Sequence, residues 1–180
     1  MKKIIIIAGA RPNFVKIAPL MREFGKYKGR FHVLLVHTGQ HYDFEMSEVF
    51  FQNLKIPRPD IHLNIGSASH AVQVARIMEA FEKIVLEEKP DMLIVVGDVN
   101  STAACSLVAS KLNVKIVHVE AGLRSFDRTM PEEINRIVTD SISDSLFVSE
   151  SSGIRNLRRE GVNPDKVHFA GNIMIDTLLF

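Results

Sequence analysis

The chain has 180 residues, 46% hydrophobic and 24% charged, the balance of a folded globular protein long enough to bury a substantial core, and not that of a disordered segment. Its 22 Lys and Arg against 21 Asp and Glu leave a formal charge of +1, which excludes a global basic field for nucleic acid or an anionic membrane; an anionic ligand has to be held locally. One cysteine, Cys105, excludes an intramolecular disulfide and suits a reducing compartment; set in an apolar helical pattern, it reads as an inert core thiol.

The opening MKKIIIIAGA has the outline of a signal peptide, but its apolar run is too short and breaks at Arg11-Pro12, so it reads as a first buried strand, Lys3 to Ala8. No stretch approaches the ~20 apolar residues of a membrane span, and a cytoplasmic protein with no membrane partner is expected. Further apolar, β-branched runs follow at His32 to His37, Met92 to Val96, Val114 to Val119, Ser145 to Ser149 and Val167 to Phe169, with a short extra strand at Ile61 to Asn64. Amphipathic stretches alternate with them: Val15 to Tyr27, Phe44 to Leu54, Ala71 to Glu88, Thr102 to Leu112, Glu132 to Ser143 and Ser152 to Glu160. Pro19 is tolerable in the first of these if the helix starts near Phe14. The alternation predicts an α/β fold, a parallel sheet covered by helices on both faces.

Ligands of such sheets bind in the crevice outside the carboxyl ends of the strands. The polar residues of this chain collect there: Gly9 to Lys16 after the first run, Thr38-Gly39-Gln40-His41 after the second, Gly97 to Thr102 after Val96, and Glu120 to Arg124 after Val119. The first turn lacks a dinucleotide fingerprint and Walker A lysine spacing, yet Arg11 and Lys16 lie near a helix start where a phosphate is well held. One of Asp98, Asn100, Ser101 and Thr102 is expected to cap the next helix. His37 and His41 are too sparsely partnered for a metal site, so no metal is expected, and His118 reads as a core histidine.

The densest segment is HVEAGLRSFDRTMPEEINR, His118 to Arg136. Glu120 is placed where its strand ends, Gly122 can take a positive φ or a close backbone approach, and Pro131-Glu132-Glu133 reads as a first helical turn with Pro at N1 and acids at the positive dipole end. Asp98, Glu120 and Glu132 can converge in one crevice, where neighbouring carboxyls divide acid and base roles. Arg124, Arg128 and Arg136 are their candidate ion-pair partners, and a purely structural ion-pair network is the alternative.

GARPNFVKIAP, TGQH, VVGDVNST, HVEAGLRS, MPEEINR and FAGNIMID, in this order, closely resemble the N-terminal half of the non-hydrolysing UDP-N-acetylglucosamine 2-epimerases. The resemblance implies a Rossmann-like, doubly wound domain over residues 1–180. The resemblance further implies a second, nucleotide-binding domain beyond this chain, with the active site between the two. It implies interconversion of UDP-GlcNAc and UDP-ManNAc by elimination and re-addition of UDP, for cell-surface polysaccharide biosynthesis, without a cofactor. By motif it makes Asp98, Glu120 and Glu132 catalytic and Arg11, Lys16, Gln40, His41 and Arg136 substrate-binding, in a protein commonly dimeric. It also implies that this half is inactive alone. The alternatives are a hydrolysing epimerase or glycosyltransferase of the same fold, or a non-catalytic sugar-nucleotide-binding module.

Overall fold

The computed structural model describes residues 1–27, 29–39 and 54–179. The expected helix at Phe44 to Leu54 lies almost wholly outside these, as do Gln40 and His41. Strands β1 (Lys2–Ala8), β2 (Phe31–His37), β3 (Ile61–His62), β4 (Met92–Val96), β5 (Lys115–Ala121), β6 (Ser145–Val148) and β7 (Val167–Phe169) form one seven-stranded sheet in the order β3-β2-β1-β4-β5-β6-β7. Every pairing is parallel. Helices α1 (Arg11–Gly25), α2 (His70–Glu88), α3 (Asn100–Lys111), α4 (Pro131–Ile142), α5 (Ser151–Arg159) and α6 (Ile173–Leu178) are described around it. The doubly wound α/β expectation therefore holds, and the order reverses between β1 and β4, which places a switch-point crevice at their carboxyl ends.

Alternation along β1 divides the core. Ile4, Ile6 and Ala8 pack with Phe14 and Ile17 of α1, while Ile5 and Ile7 pack with Ile77 and Phe81 of α2 and Ala104 and Cys105 of α3. Burial on both faces is why the strands read as continuous apolar runs. Cys105 is fully buried, and burial pushes its thiol far up, in keeping with an inert core role. Among the described residues no helix is long and apolar enough to cross a membrane.

Several expectations need correction. Strand β5 runs on to Ala121, so Glu120 lies inside it, in a bulge with φ 72°. The extra residue turns Ala121 over: Val119 packs with the α1 cluster, and Ala121 with Leu146, Val148 and Leu157 beneath α5. Helix α1 begins at Arg11 rather than near Phe14, which makes Pro19 an interior residue. Pro19 has no N–H for the Val15 carbonyl four residues earlier, and the Thr177 hydroxyl of α6 donates to that oxygen instead, at 2.5 Å. The N-cap of α3 is Val99, with no side-chain cap, so the expected capping by Asp98, Asn100, Ser101 or Thr102 does not occur.

Gly122 meets both expectations for it. Its φ is +79°, and a β-carbon there would stand 2.6 Å from the Gly153 carbonyl oxygen in the first turn of α5. The neighbour is backbone and cannot swing away. Gly122→Ala should therefore destabilise the chain by about 2 kcal/mol or more in urea titrations, whereas Gly161→Ala, at similar φ but in open space, should cost about 1 kcal/mol.

Candidate active site

The β1–α1 turn is shaped by Asn13. Its Oδ1 accepts from the Gly9 and Ala10 amides at 2.9 and 3.0 Å, and its Nδ2 donates to the Val96 carbonyl at 3.1 Å, joining the turn to the end of β4. Close approach is possible because residue 9 is glycine: a β-carbon there would lie 2.6 Å from Ser101 Oγ. One helical turn after Asn13, Lys16 is drawn in and pairs with Glu120. The β5 bulge turns Glu120 toward it. The two meet over Gly97, at φ +66°, whose missing β-carbon would stand 2.9 Å from Lys16 Nζ and 3.3 Å from Glu120 Oε2.

The next residue carries the second pair. Asp98 binds Arg136 of α4, with side-chain exposures of 26% and 17%, so this pair stands at the edge of solvent while the Lys16 and Glu120 side chains, at 9% and 13%, lie deeper. Asn135 holds the turn by donating to the Asp98 carbonyl at 2.9 Å and to Asn100 Oδ1 at 3.2 Å. Asn100 in turn donates to Gln73 at 2.7 Å, which ties the turn to α2.

Of the predicted residues, the structure thus brings together Lys16, Glu120, Asp98 and Arg136. Glu132 is in the first turn of α4, four residues before Arg136 and on the same side of the helix, with no side-chain partner among the described residues. Arg11 is the first residue of α1. Gln40 and His41 lie outside the described residues. Pairing of Arg124 with these acids does not occur: its side chain, 1% exposed, is held by Asp140 at 2.8 Å and by Glu160 at 2.7 and 2.8 Å. A cavity of about 480 Å³ opens beside Arg136, lined by Ser125, Phe126, Glu150, Arg155 and Arg159.

Three residues matter that the sequence reading left unassigned. Asn13 is one. Asp140 is the second: Oδ1 accepts from His118 Nδ1 at 2.6 Å, and Oδ2 from the Gly122 amide at 3.0 Å and from Arg124. Burial pushes its carboxyl up, but the charges of and hydrogen bonds from His118 and Arg124 outweigh this and hold it below the ordinary value. His118 is a core histidine as expected, with its second nitrogen 2.8 Å from the Gly97 carbonyl. Glu133 is the third. At N3 of α4 it reaches back past the N-cap into the preceding loop, accepting from the Ser125 and Phe126 amides at 2.8 and 3.0 Å and from Arg136 at 3.1 Å. Its place in PEE, three residues after a helix start, was the available signal.

Burial pulls the Glu133 carboxyl up, and the two amides with Arg136 draw it below its ordinary 4.5. A depressed native pKa contributes stability that is present above 4.5 and lost as pH falls through the lower native value. Glu133→Gln should accordingly lower stability at neutral pH by about 1 to 3 kcal/mol and flatten the loss of stability below about pH 5, measured by urea unfolding across that range.

The family model for UDP-N-acetylglucosamine 2-epimerase matches residues 25–180. A Methanococcus maripaludis UDP-N-acetylglucosamine 2-epimerase homolog is 52% identical over 177 residues, 98% of this chain and 48% of that one. The UDP-2,3-diacetamido-2,3-dideoxy-D-glucuronate 2-epimerase of Pseudomonas aeruginosa is 46% identical over 180 residues, 99% of this chain and 51% of that one. Among solved structures, the Methanocaldococcus jannaschii UDP-GlcNAc 2-epimerase in complex with UDP-GlcNAc and UDP superposes with a TM-score of 0.94 at 45% identity, covering 99% of this chain and 49% of the other. The chain spans about half the length of the curated relatives it matches. With a match over most of its length and a doubly wound sheet shared with these structures, the chain belongs to the UDP-N-acetylglucosamine 2-epimerase family.

Proposed function

We propose that this chain is the N-terminal domain of a non-hydrolysing 2-epimerase that interconverts UDP-GlcNAc and UDP-ManNAc. The observation that carries the reading is the pair of carboxylate–cation contacts, Glu120 with Lys16 and Asp98 with Arg136, set at the carboxyl ends of β4 and β5 beside the switch point. Epimerisation at C2 needs a carboxylate to take the C2 proton, a second to steady positive charge developing at C1, and cations to receive the departing diphosphate. Asp98, Glu120 and Glu132 supply the carboxylates, and Arg11, Lys16 and Arg136, with Gln40 and His41, bind substrate.

In the proposed reaction the C2–H bond breaks, its electron pair forms the C1–C2 double bond, and the C1–O bond breaks to release UDP. The product pair is a 2-acetamidoglucal and UDP. Re-addition of UDP at C1 and of a proton to the other face of C2 completes the inversion. No cofactor enters this balance. A second domain completes the cleft, so the chain alone is inactive, and the assembled protein is a dimer.

The Pseudomonas aeruginosa relative supports a second reading of the substrate. It is named for a diacetamido uronate and is 46% identical to this chain, so a UDP-activated 2,3-diacetamido uronic acid is the competing substrate for the same C2 inversion.

Both readings are tested by NMR of each sugar nucleotide in D2O, with the chain alone and with the second domain supplied. Turnover of UDP-GlcNAc to UDP-ManNAc only in the second case, with deuterium at C2 of the product and loss of at least about 100-fold in Asp98→Asn, is the expected result. Net accumulation of UDP with free ManNAc would transfer the chain to the hydrolysing class. Robust turnover by the chain alone would overturn the half-site proposal, and turnover of the uronate alone would select the second substrate.

A further inference from the structure

We infer that the buried Asp140–His118 pair is the positioning device of the site, setting the turn that carries Asp98 and the end of the strand whose bulge carries Glu120 from a single carboxylate. This rests on the function proposed above for those acids.

Hydrogen-bond roles fix the state of the pair. The Gly97 carbonyl can only accept, so His118 Nε2, 2.8 Å away, bears a proton and donates. At the other nitrogen, Nδ1 stands 2.6 Å from Asp140 Oδ1. Asp140 is the acceptor there: its other oxygen accepts from the Gly122 amide and from the charged Arg124 guanidinium, which favours the ionised carboxylate. Both ring nitrogens therefore carry protons, and His118 is an imidazolium. Sealed in the interior, its charge is matched by Asp140, as Arg124 is matched by Glu160 at the outer end.

The reach of this chain of bonds gives it a function beyond neutralising charge. Asp140, on α4, holds the Gly122 amide two residues beyond Glu120, just past the end of β5 and its bulge. Through His118 it holds the Gly97 carbonyl, and that peptide leads directly into Asp98. Both positions have left-handed backbone, φ +66° at Gly97 and +79° at Gly122, and need tethers to keep a single arrangement. The same helix supplies Arg136 to Asp98 and Asn135 to its carbonyl. Neither Asp140 nor His118 touches the crevice, since both are buried, so they act through the turns and not on substrate.

Two measurements test this. In chain labelled with 15N-histidine, NMR should show His118 with a proton on each ring nitrogen, the Nδ1 proton shifted far downfield; a neutral ring with one proton would overturn the inference whatever the activity. With the second domain supplied, Asp140→Asn should lose about 100-fold in kcat while KM changes less than about threefold, with His118 reduced to a single ring proton. Wild-type kcat in a folded Asp140→Asn would also overturn it. An inert wild type would count against the proposed reaction instead, leaving the imidazolium to be decided by the spectrum.

Discussion

An ionised carboxylate in the interior must find donors for both oxygens or be expelled, and the side chain of Asp140 satisfies that demand with three groups from β5 and the segment beyond it. Each donor is therefore located by the same anion. His118 is fixed within the strand, Gly122 past its bulge and Arg124 two residues further on, and α4, which carries the acid, is pinned to all of them. The requirement extends outward, because Arg124 brings in Glu160 at the end of α5 and His118 brings in the β4 turn at Gly97. A single electrostatic necessity thereby sets α4, α5 and the ends of β4 and β5 in one arrangement.

The sheet explains why the polar groups lie where they do. Strands buried on both faces leave little room for charge along their length, the His118–Asp140 pair excepted, so most acids and cations collect at the carboxyl ends, where chain reversal exposes backbone and helices begin. Reversal of strand order at β1 and β4 opens the crevice between the first turn of α1 and the Gly97 turn. Asn13 spans that crevice at its base, and the absence of a side chain at Gly9 and at Gly97 lets the walls close to contact distance. The acids meet cations from other elements there, Lys16 from α1 and Arg136 from α4.

Local information was enough for most of the framework. Continuous β-branched runs located the strands to within a residue or two, and the Pro131-Glu132-Glu133 start of α4 was legible because proline at N1 and acids in a first turn act within the helix itself. What the sequence did not disclose depends on partners distant along the chain. Glu120 reads as lying beyond its strand because a bulge is defined by the partner strand β6 and not by the residues flanking it. Pro19 reads as needing a later helix start because the donor that satisfies Val15 is Thr177. Arg124 looks like a partner for the site acids by proximity in sequence, but Asp140 and Glu160 capture it first. Asp98, Glu120, Lys16 and Arg136 were legible as site candidates, whereas their pairing scheme was not, since charge complementarity alone permits several.

That pairing scheme bears on how the proposed reaction would run. Lys16 and Arg136, two cations suited to a diphosphate, are each already bound to a carboxylate suited to proton transfer or charge stabilisation, so binding and chemistry draw on the same contacts. An anionic substrate that engages Lys16 or Arg136 competes with Glu120 or Asp98 for their charge, and departure of the diphosphate returns it. Lys16 and Glu120 are the deeper pair and Asp98 and Arg136 the more exposed one, so the two respond to solvent and substrate to different degrees. Such coupling works only if the turns do not relax when a contact is exchanged. A rigid tether behind the turns, made of buried charges that the substrate never reaches, is what that requirement calls for, and the Asp140–His118 pair stands in that position.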